Sequence, residues 1–181
     1  MSVTGTTIQL EINGVAVSVD NVPIDTGMTD FLREYLNMTG TRWSCRQAVC
    51  RSCTIIIDNP DGTSETSLTC VMPAITFIGK KIRTIEGAAR ENADSPVAGL
   101  SRVQEAFLKN FAFQCGYCTP GFVNEATVLL EKLTRDPINR DKVEKTITEA
   151  LDPHLCRCTG YVRYYAAIKE LILATPELLK P

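Results

Sequence analysis

Eight cysteines hold most of the chemistry available to this sequence, at positions 45, 50, 53, 70, 115, 118, 156 and 158. Thiols in such number act as disulfides, as zinc ligands or as iron–sulfur ligands. Disulfides suit small secreted domains, but Cys50/Cys53, Cys115/Cys118 and Cys156/Cys158 lie too close in sequence to staple distant segments together. Zinc prefers paired knuckles of the C-x2–4-C form; Cys115 and Cys118 fit one, whereas Cys156-x-Cys158 is tight for one. Cys45-x4-Cys50-x2-Cys53 puts three ligands on one loop, with Cys70 arriving later. That is the spacing in which a loop wraps a [2Fe–2S] cluster and a distant cysteine closes it. Two [2Fe–2S] clusters are therefore expected, with a zinc-stabilised interaction module and a stand-alone ferredoxin-like carrier as the alternatives. His154 is the only histidine, and no nucleophile–base pair or phosphate-binding glycine loop accompanies the thiols, so no catalytic residue is assigned.

Each cysteine set needs elements to hold it. Residues 6–19 predict a hairpin: Ile8, Leu10 and Ile12 alternate, Asn13-Gly14 turns, and Val15, Val17 and Val19 alternate again. A helix is expected over 29–37 from the stripe Phe31, Leu32, Tyr35 and Leu36, followed by the cysteine loop at 45–53. The β-branched run Thr54 to Ile57, a turn at Asn59 to Gly62, and strands near 64–69 and 81–86 complete an α+β unit. After Gly87 the pattern turns helical. Ser101 with Gln104 forms a capping box, Thr119-Pro120 reads as an N-cap with proline first in the helix, and Asp136-Pro137 and Asp152-Pro153 are stops. Four helices result, the last over 161–174, with Cys115 and Cys118 preceding the second and Cys156 and Cys158 the fourth. An anionic cluster there would sit where helix N-termini favour negative charge. The expected division is 1–87 for the first domain, 88–96 for a connector, 97–175 for the helical domain and 176–181 for a tail.

The rest of the composition narrows the function. The chain has 181 residues, 22% of them charged, with a net charge of −2. That balance gives no global attraction to nucleic acid or anionic lipid. No apolar run reaches the roughly 18–20 residues of a membrane span, so no direct membrane insertion is expected. The first basic residue is Arg33, so no secretory signal is read. The expected location is cytoplasmic, or periplasmic if the chain is exported folded with a signal-bearing partner.

The motifs QCGYCTPG over 114–121 and LCRCTGY over 155–161, with Thr84 to Gly87 at the join, resemble the small iron–sulfur subunit of the molybdenum hydroxylases. This is the family of xanthine dehydrogenase and aldehyde oxidoreductase, with isoquinoline oxidoreductase as a further branch. The resemblance implies a plant-ferredoxin-like (β-grasp) domain followed by an all-α four-helix-bundle domain. It implies that Cys45, Cys50, Cys53 and Cys70 hold an outer cluster, nearer the surface. Cys115, Cys118, Cys156 and Cys158 would hold an inner one, beside a molybdopterin cofactor kept mainly by a large partner subunit. Gln114 and Cys158 match positions that approach the pterin in relatives. The implied role is one-electron relay inside a multisubunit oxidoreductase that acts on an aldehyde or N-heterocycle, with an FAD subunit or a cytochrome c subunit as acceptor. Relatives carry glycine where this chain has Ser44, Arg46, Ala48 and Arg51, and glycine there tolerates positive φ. Arg42, Arg46 and Arg51 are expected either to dock the acceptor or to form a solvated rim. Trp43 is expected to pack on the cluster loop, and His154 to face a partner or to be a satisfied polar residue.

Overall fold

The computed structural model describes residues 5–89 and 99–181, so most of the expected connector lies outside the described residues. A five-stranded mixed sheet runs in the order β2-β1-β5-β3-β4. Its strands are β1 (Gly5–Ile12), β2 (Val15–Pro23), β3 (Thr54–Asp58), β4 (Ser64–Leu68) and β5 (Lys81–Arg83). Asn13 and Gly14 both take positive φ, 53° and 79°, the backbone a two-residue hairpin needs to match strand twist. Only the β1–β5 pairing is parallel among the described strands.

One face of the sheet is covered by α1, which begins as Met28–Asp30 and continues as a π-helical turn over Phe31–Tyr35. Met28, Phe31 and Leu32 pack there against Ile8, Leu10, Ile12, Ile55 and Ile57. Tyr35, expected on the same stripe, is exposed, because the chain leaves α periodicity at the π turn. β5 is shorter than expected. Asn13 accepts from the Thr84 N–H at 2.9 Å and donates to its hydroxyl at 3.0 Å. Ile85–Ala88 then forms a helical turn, α2.

β3 explains why its sequence does not alternate. Ile55 and Ile57 face the first core, while Thr54 and Ile56 are buried as well, and an unbroken β-branched run is the mark of a strand covered on both faces. The second cover is the helical unit: α3 (Arg102–Lys109), α4 (Thr119–Arg135), α5 (Val143–Leu151) and α6 (Val162–Leu173). Ser101 and Gln104 form the reciprocal capping box of α3. Phe107, Phe122, Ile147, Leu151 and Ile168 belong to a core that also takes in Ala88. The segment 176–181, expected as a tail, packs back onto the bundle: Leu178 is fully buried, and Ile138 exchanges main-chain hydrogen bonds with Leu178 and Lys180 at 3.2 and 2.9 Å. No helix among the described residues is long and apolar enough to cross a membrane.

Candidate metal centres

The first cysteine set sits on a loop whose backbone is wound into a cradle. Arg46, Ala48 and Arg51 take φ of 52°, 58° and 57°, three of the four positions where the resemblance led glycine to be expected. Ser44 is not left-handed. Left-handed residues alternating with ordinary ones turn successive N–H groups inward and make an anion-binding nest. Here the N–H groups of Gln47 and Cys50 each donate to Cys45 Sγ at 3.4 Å. Burial opposes ionisation of Cys45, but the N–H groups of Cys50, Gln47 and Val49 outweigh it and bring the thiol down to about 6. Cys53 differs: burial pushes its thiol up to about 12, and the facing Cys70 thiol adds to this. Beneath this end, Thr69 donates its hydroxyl to the Cys53 carbonyl at 3.0 Å.

The second set is built from helix ends. Cys118 is the N-cap of α4, one residue earlier than expected. Thr119 is helical, and its hydroxyl lies 2.8 Å from that of Tyr164. Gly116, with φ 74°, lets the chain turn between Cys115 and Cys118. Across from them, Cys156 and Cys158 precede α6, and Tyr161, at its N-cap, takes φ 70°. The set divides by exposure: Cys118 and Cys156 are buried, Cys115 and Cys158 exposed. The exposed sulfurs are 3.5 Å apart. Thr159 Oγ1 lies 3.1 Å from Cys156 Sγ, and burial pushes Cys118 up to about 12.

This donor arrangement fits the two-iron cluster. A [2Fe–2S] cluster takes four thiolates, two on each iron. Each set presents two facing pairs, Cys45 with Cys50 and Cys53 with Cys70, then Cys115 with Cys158 and Cys118 with Cys156. Among the described residues no three such side chains converge on a point for one metal ion.

The two loops touch through a dense seam. The N–H of Leu155, next to Cys156, donates to the carbonyl of Cys50 at 3.2 Å. Tyr117, between Cys115 and Cys118, donates its hydroxyl to the Trp43 carbonyl at 2.6 Å. Asn124 of α4 donates to the Thr54 carbonyl at 2.7 Å. A side chain at Gly121 would place its Cβ 2.3 Å from the Arg51 carbonyl oxygen, so only glycine lets α4 approach the first loop this closely. Farther along, Arg83 joins Asp58 and Glu131 at 2.9 and 2.8 Å.

The seam corrects two expectations. Arg51 is not an outward-facing docking residue: its guanidinium lies 3.7 Å from the half-buried Glu125 carboxylate, which also accepts from Thr66 at 3.1 Å. Arg42 lies over the Tyr117 ring, and Arg46 lies 3.6 Å from the centroid of Trp43, so the indole does flank the loop. His154 neither faces a partner nor is satisfied. It is fully buried against Phe122 with neither ring nitrogen in a well-formed hydrogen bond, and Glu125 is 4.0 Å away. Burial first, and then Arg51, hold it down at about 4, so it is neutral. Gln114 and Cys158 both lie at the surface. In the segments around them Phe111 and Val162 are each 72% exposed, and Leu155 and Tyr117 are also bare.

Two family models match the chain, a 2Fe-2S iron-sulfur cluster binding domain over residues 10–74 and a [2Fe-2S] binding domain over 84–169. The nicotinate dehydrogenase small FeS subunit of Eubacterium barkeri is 36% identical over 166 residues, covering 92% of this chain and 94% of that one. Among solved structures, quinoline 2-oxidoreductase from Pseudomonas putida is similar with a TM-score of 0.76 and 31% identity, over 97% of this chain and 94% of that one. An aldehyde oxidoreductase from Desulfovibrio desulfuricans gives the same TM-score at 26% identity, but there the match covers only 18% of that chain.

Proposed function

The chain belongs to the small iron–sulfur subunits of the molybdenum hydroxylase family, and from that premise we propose how its residues divide the relay. Cys115, Cys118, Cys156 and Cys158 hold the cluster that faces the large molybdopterin subunit. Cys45, Cys50, Cys53 and Cys70 hold the cluster that delivers electrons outward. Bound there, each cluster takes up and releases one electron at a time. The chain's own work is ligation, orientation and electrostatic tuning.

The observation that carries this reading is the hydrogen bond from Leu155 N–H to the Cys50 carbonyl. It makes a continuous route of covalent bonds and one hydrogen bond between a ligand of each set. The exposure pattern supports a direction for the relay. Exposed thiols with bare apolar side chains in the segments around them suit a face meant to be covered, so the large subunit docks over Cys115, Cys158 and Gln114, with Gln114 and Cys158 reaching the pterin. The other end offers Arg46 and Val49 at the surface. A flavin subunit or a cytochrome c subunit with a negative face would dock there, faster at low salt. Nicotinate and quinoline, named in two relatives, are N-heterocycles, and another relative is named for aldehydes. The partner's substrate is proposed to be an N-heterocycle or an aldehyde. Its compartment follows the partner, cytoplasmic unless that subunit carries an export signal.

The test is purification of the chain with its partners, followed by substrate reduction watched by electron paramagnetic resonance. Two [2Fe–2S] signals and a large molybdenum-containing subunit are expected, with both signals appearing when substrate is added. Zinc in place of iron, or a single cluster on a chain with no large partner, would overturn the proposal.

A further inference from the structure

Tyr164 is the largest fully buried side chain among the described residues, and ligation of the clusters gives it no task. Its ring is clamped in place. Phe122 stacks on it with centroids 4.2 Å and planes 6° apart, and Phe107 meets it at a steep angle at 4.9 Å. The hydroxyl is thereby aimed at the N-terminus of α4, with Thr119 Oγ1 at 2.8 Å and Cys118 Sγ at 3.8 Å. The side chain is sealed from bulk water, so its proton goes to one of these two atoms. A phenol has one proton to give, a threonine brings its own, and a ligand thiolate can only accept. The arrangement that serves all three atoms runs from the Thr119 hydroxyl to the Tyr164 oxygen, and from the Tyr164 hydroxyl to the Cys118 sulfur.

We propose that Tyr164 is a positioning residue that raises the reduction potential of the helical-domain cluster by donating a hydrogen bond to Cys118 Sγ. This rests on the reading of Cys118 as a cluster ligand. Reduction adds negative charge to the cluster and its sulfurs, so a donor on a sulfur stabilises the reduced state more than the oxidised one. Burial magnifies the difference, because no solvent competes for the sulfur and the local dielectric is low. A higher potential makes this cluster a readier acceptor from the neighbouring subunit. No comparable phenol meets the first set among the described residues, where Cys45 takes its hydrogen bonds from backbone N–H groups.

The experiment is a redox titration of the purified, cluster-loaded protein, following both [2Fe–2S] signals by electron paramagnetic resonance. Tyr164→Phe keeps the stacked ring and removes only the donor. The ratio of reduced to oxidised cluster at a fixed potential should fall about tenfold for one signal, equivalent to about 59 mV for one electron, while the other signal stays in place. Thr119→Val, which leaves the phenol but removes the donor to its oxygen, should move the same signal the same way by less. If Tyr164→Phe yields no soluble protein, Thr119→Val decides the matter. Both signals at their wild-type potentials in a soluble variant would overturn the inference. A wild-type protein with only one [2Fe–2S] signal would instead overturn the assignment of Cys118, so the two failures are distinguishable.

Discussion

The two cysteine regions solve the same problem in different ways. The ferredoxin-like loop makes its own cradle from backbone N–H groups, and none of its four thiols is fully exposed. The helical-domain set borrows its geometry from helix ends, seals Cys118 and Cys156 inside, and leaves Cys115 and Cys158 at the surface. In this chain the cluster expected to lie deeper in the assembly is therefore the one with the more open ligands. The first region's ligands are covered within the chain, while the second leaves two of its ligands open to the partner proposed to dock there. An electron relay gains from this division. On the proposed reading the shared face would be covered by the partner, and the delivery end would keep a cradle held by its own N–H groups.

The largest test of the comparison removes one ligand from one region. Cys50→Ser deletes a thiolate but keeps the Cys50 carbonyl, so the hydrogen bond from Leu155 survives. One of the two [2Fe–2S] resonance signals should vanish, and the other should keep its line shape with the far-ultraviolet helical signal intact. Loss of both signals from soluble protein would show that the regions are not separate structural units. Cys118→Ser should give the reverse pattern, with a larger loss of stability because its site lies in the bundle core.

The second test strikes the seam that joins the regions. Gly121 meets the Arg51 carbonyl oxygen at a distance no side chain allows. Gly121→Ala must push α4 away from the first loop, and overpacking of this kind costs about 1–3 kcal/mol. A lower denaturant midpoint is expected, together with a weaker magnetic interaction between the reduced clusters. Wild-type values of both would mean that the close approach is incidental.

How much of this was legible beforehand depends on whether the cause was local. The hairpin follows from Asn13-Gly14 and two alternating runs, and the bundle from apolar stripes with proline stops, all within a few residues of chain. The cysteine spacing is local too, and the expected glycines pointed to the strained positions 46, 48 and 51, although also to Ser44, which is not left-handed. What could not be read is set by residues distant in sequence. β5 ends at Arg83 because Asn13, 71 residues away, takes the Thr84 N–H. Arg51 looked like surface charge because nothing near it in sequence reveals Glu125. Tyr164 lies in the last helix, and nothing near it in sequence shows which thiol its hydroxyl meets. Gly121 did leave a signal: a glycine in the first turn of a helix weakens it by up to about 1 kcal/mol, and such a cost points to a close backbone approach.

The smallest expected effect is also the most direct comparison of the two cradles. The first loop holds Ala48 at φ 58°, whereas the second places Gly116 at φ 74°. A non-glycine residue in the left-handed region costs about 1–2 kcal/mol, while glycine adds chain entropy to the unfolded state worth about 0.4–1 kcal/mol. Ala48→Gly should therefore stabilise the protein by about 0.5–1 kcal/mol. Gly116→Ala should destabilise it by a similar amount, and no protein atom beyond the two adjoining residues lies within 4 Å of the added methyl group. Ala48 is a cleaner choice than Arg46, whose side chain lies over Trp43 and would take that contact with it. Denaturant midpoints of the two loaded variants, read beside the rate at which each bleaches, should move in opposite directions. The same sign for both would mean that the first loop is not strained, and that its inward-turned N–H groups come without a conformational cost.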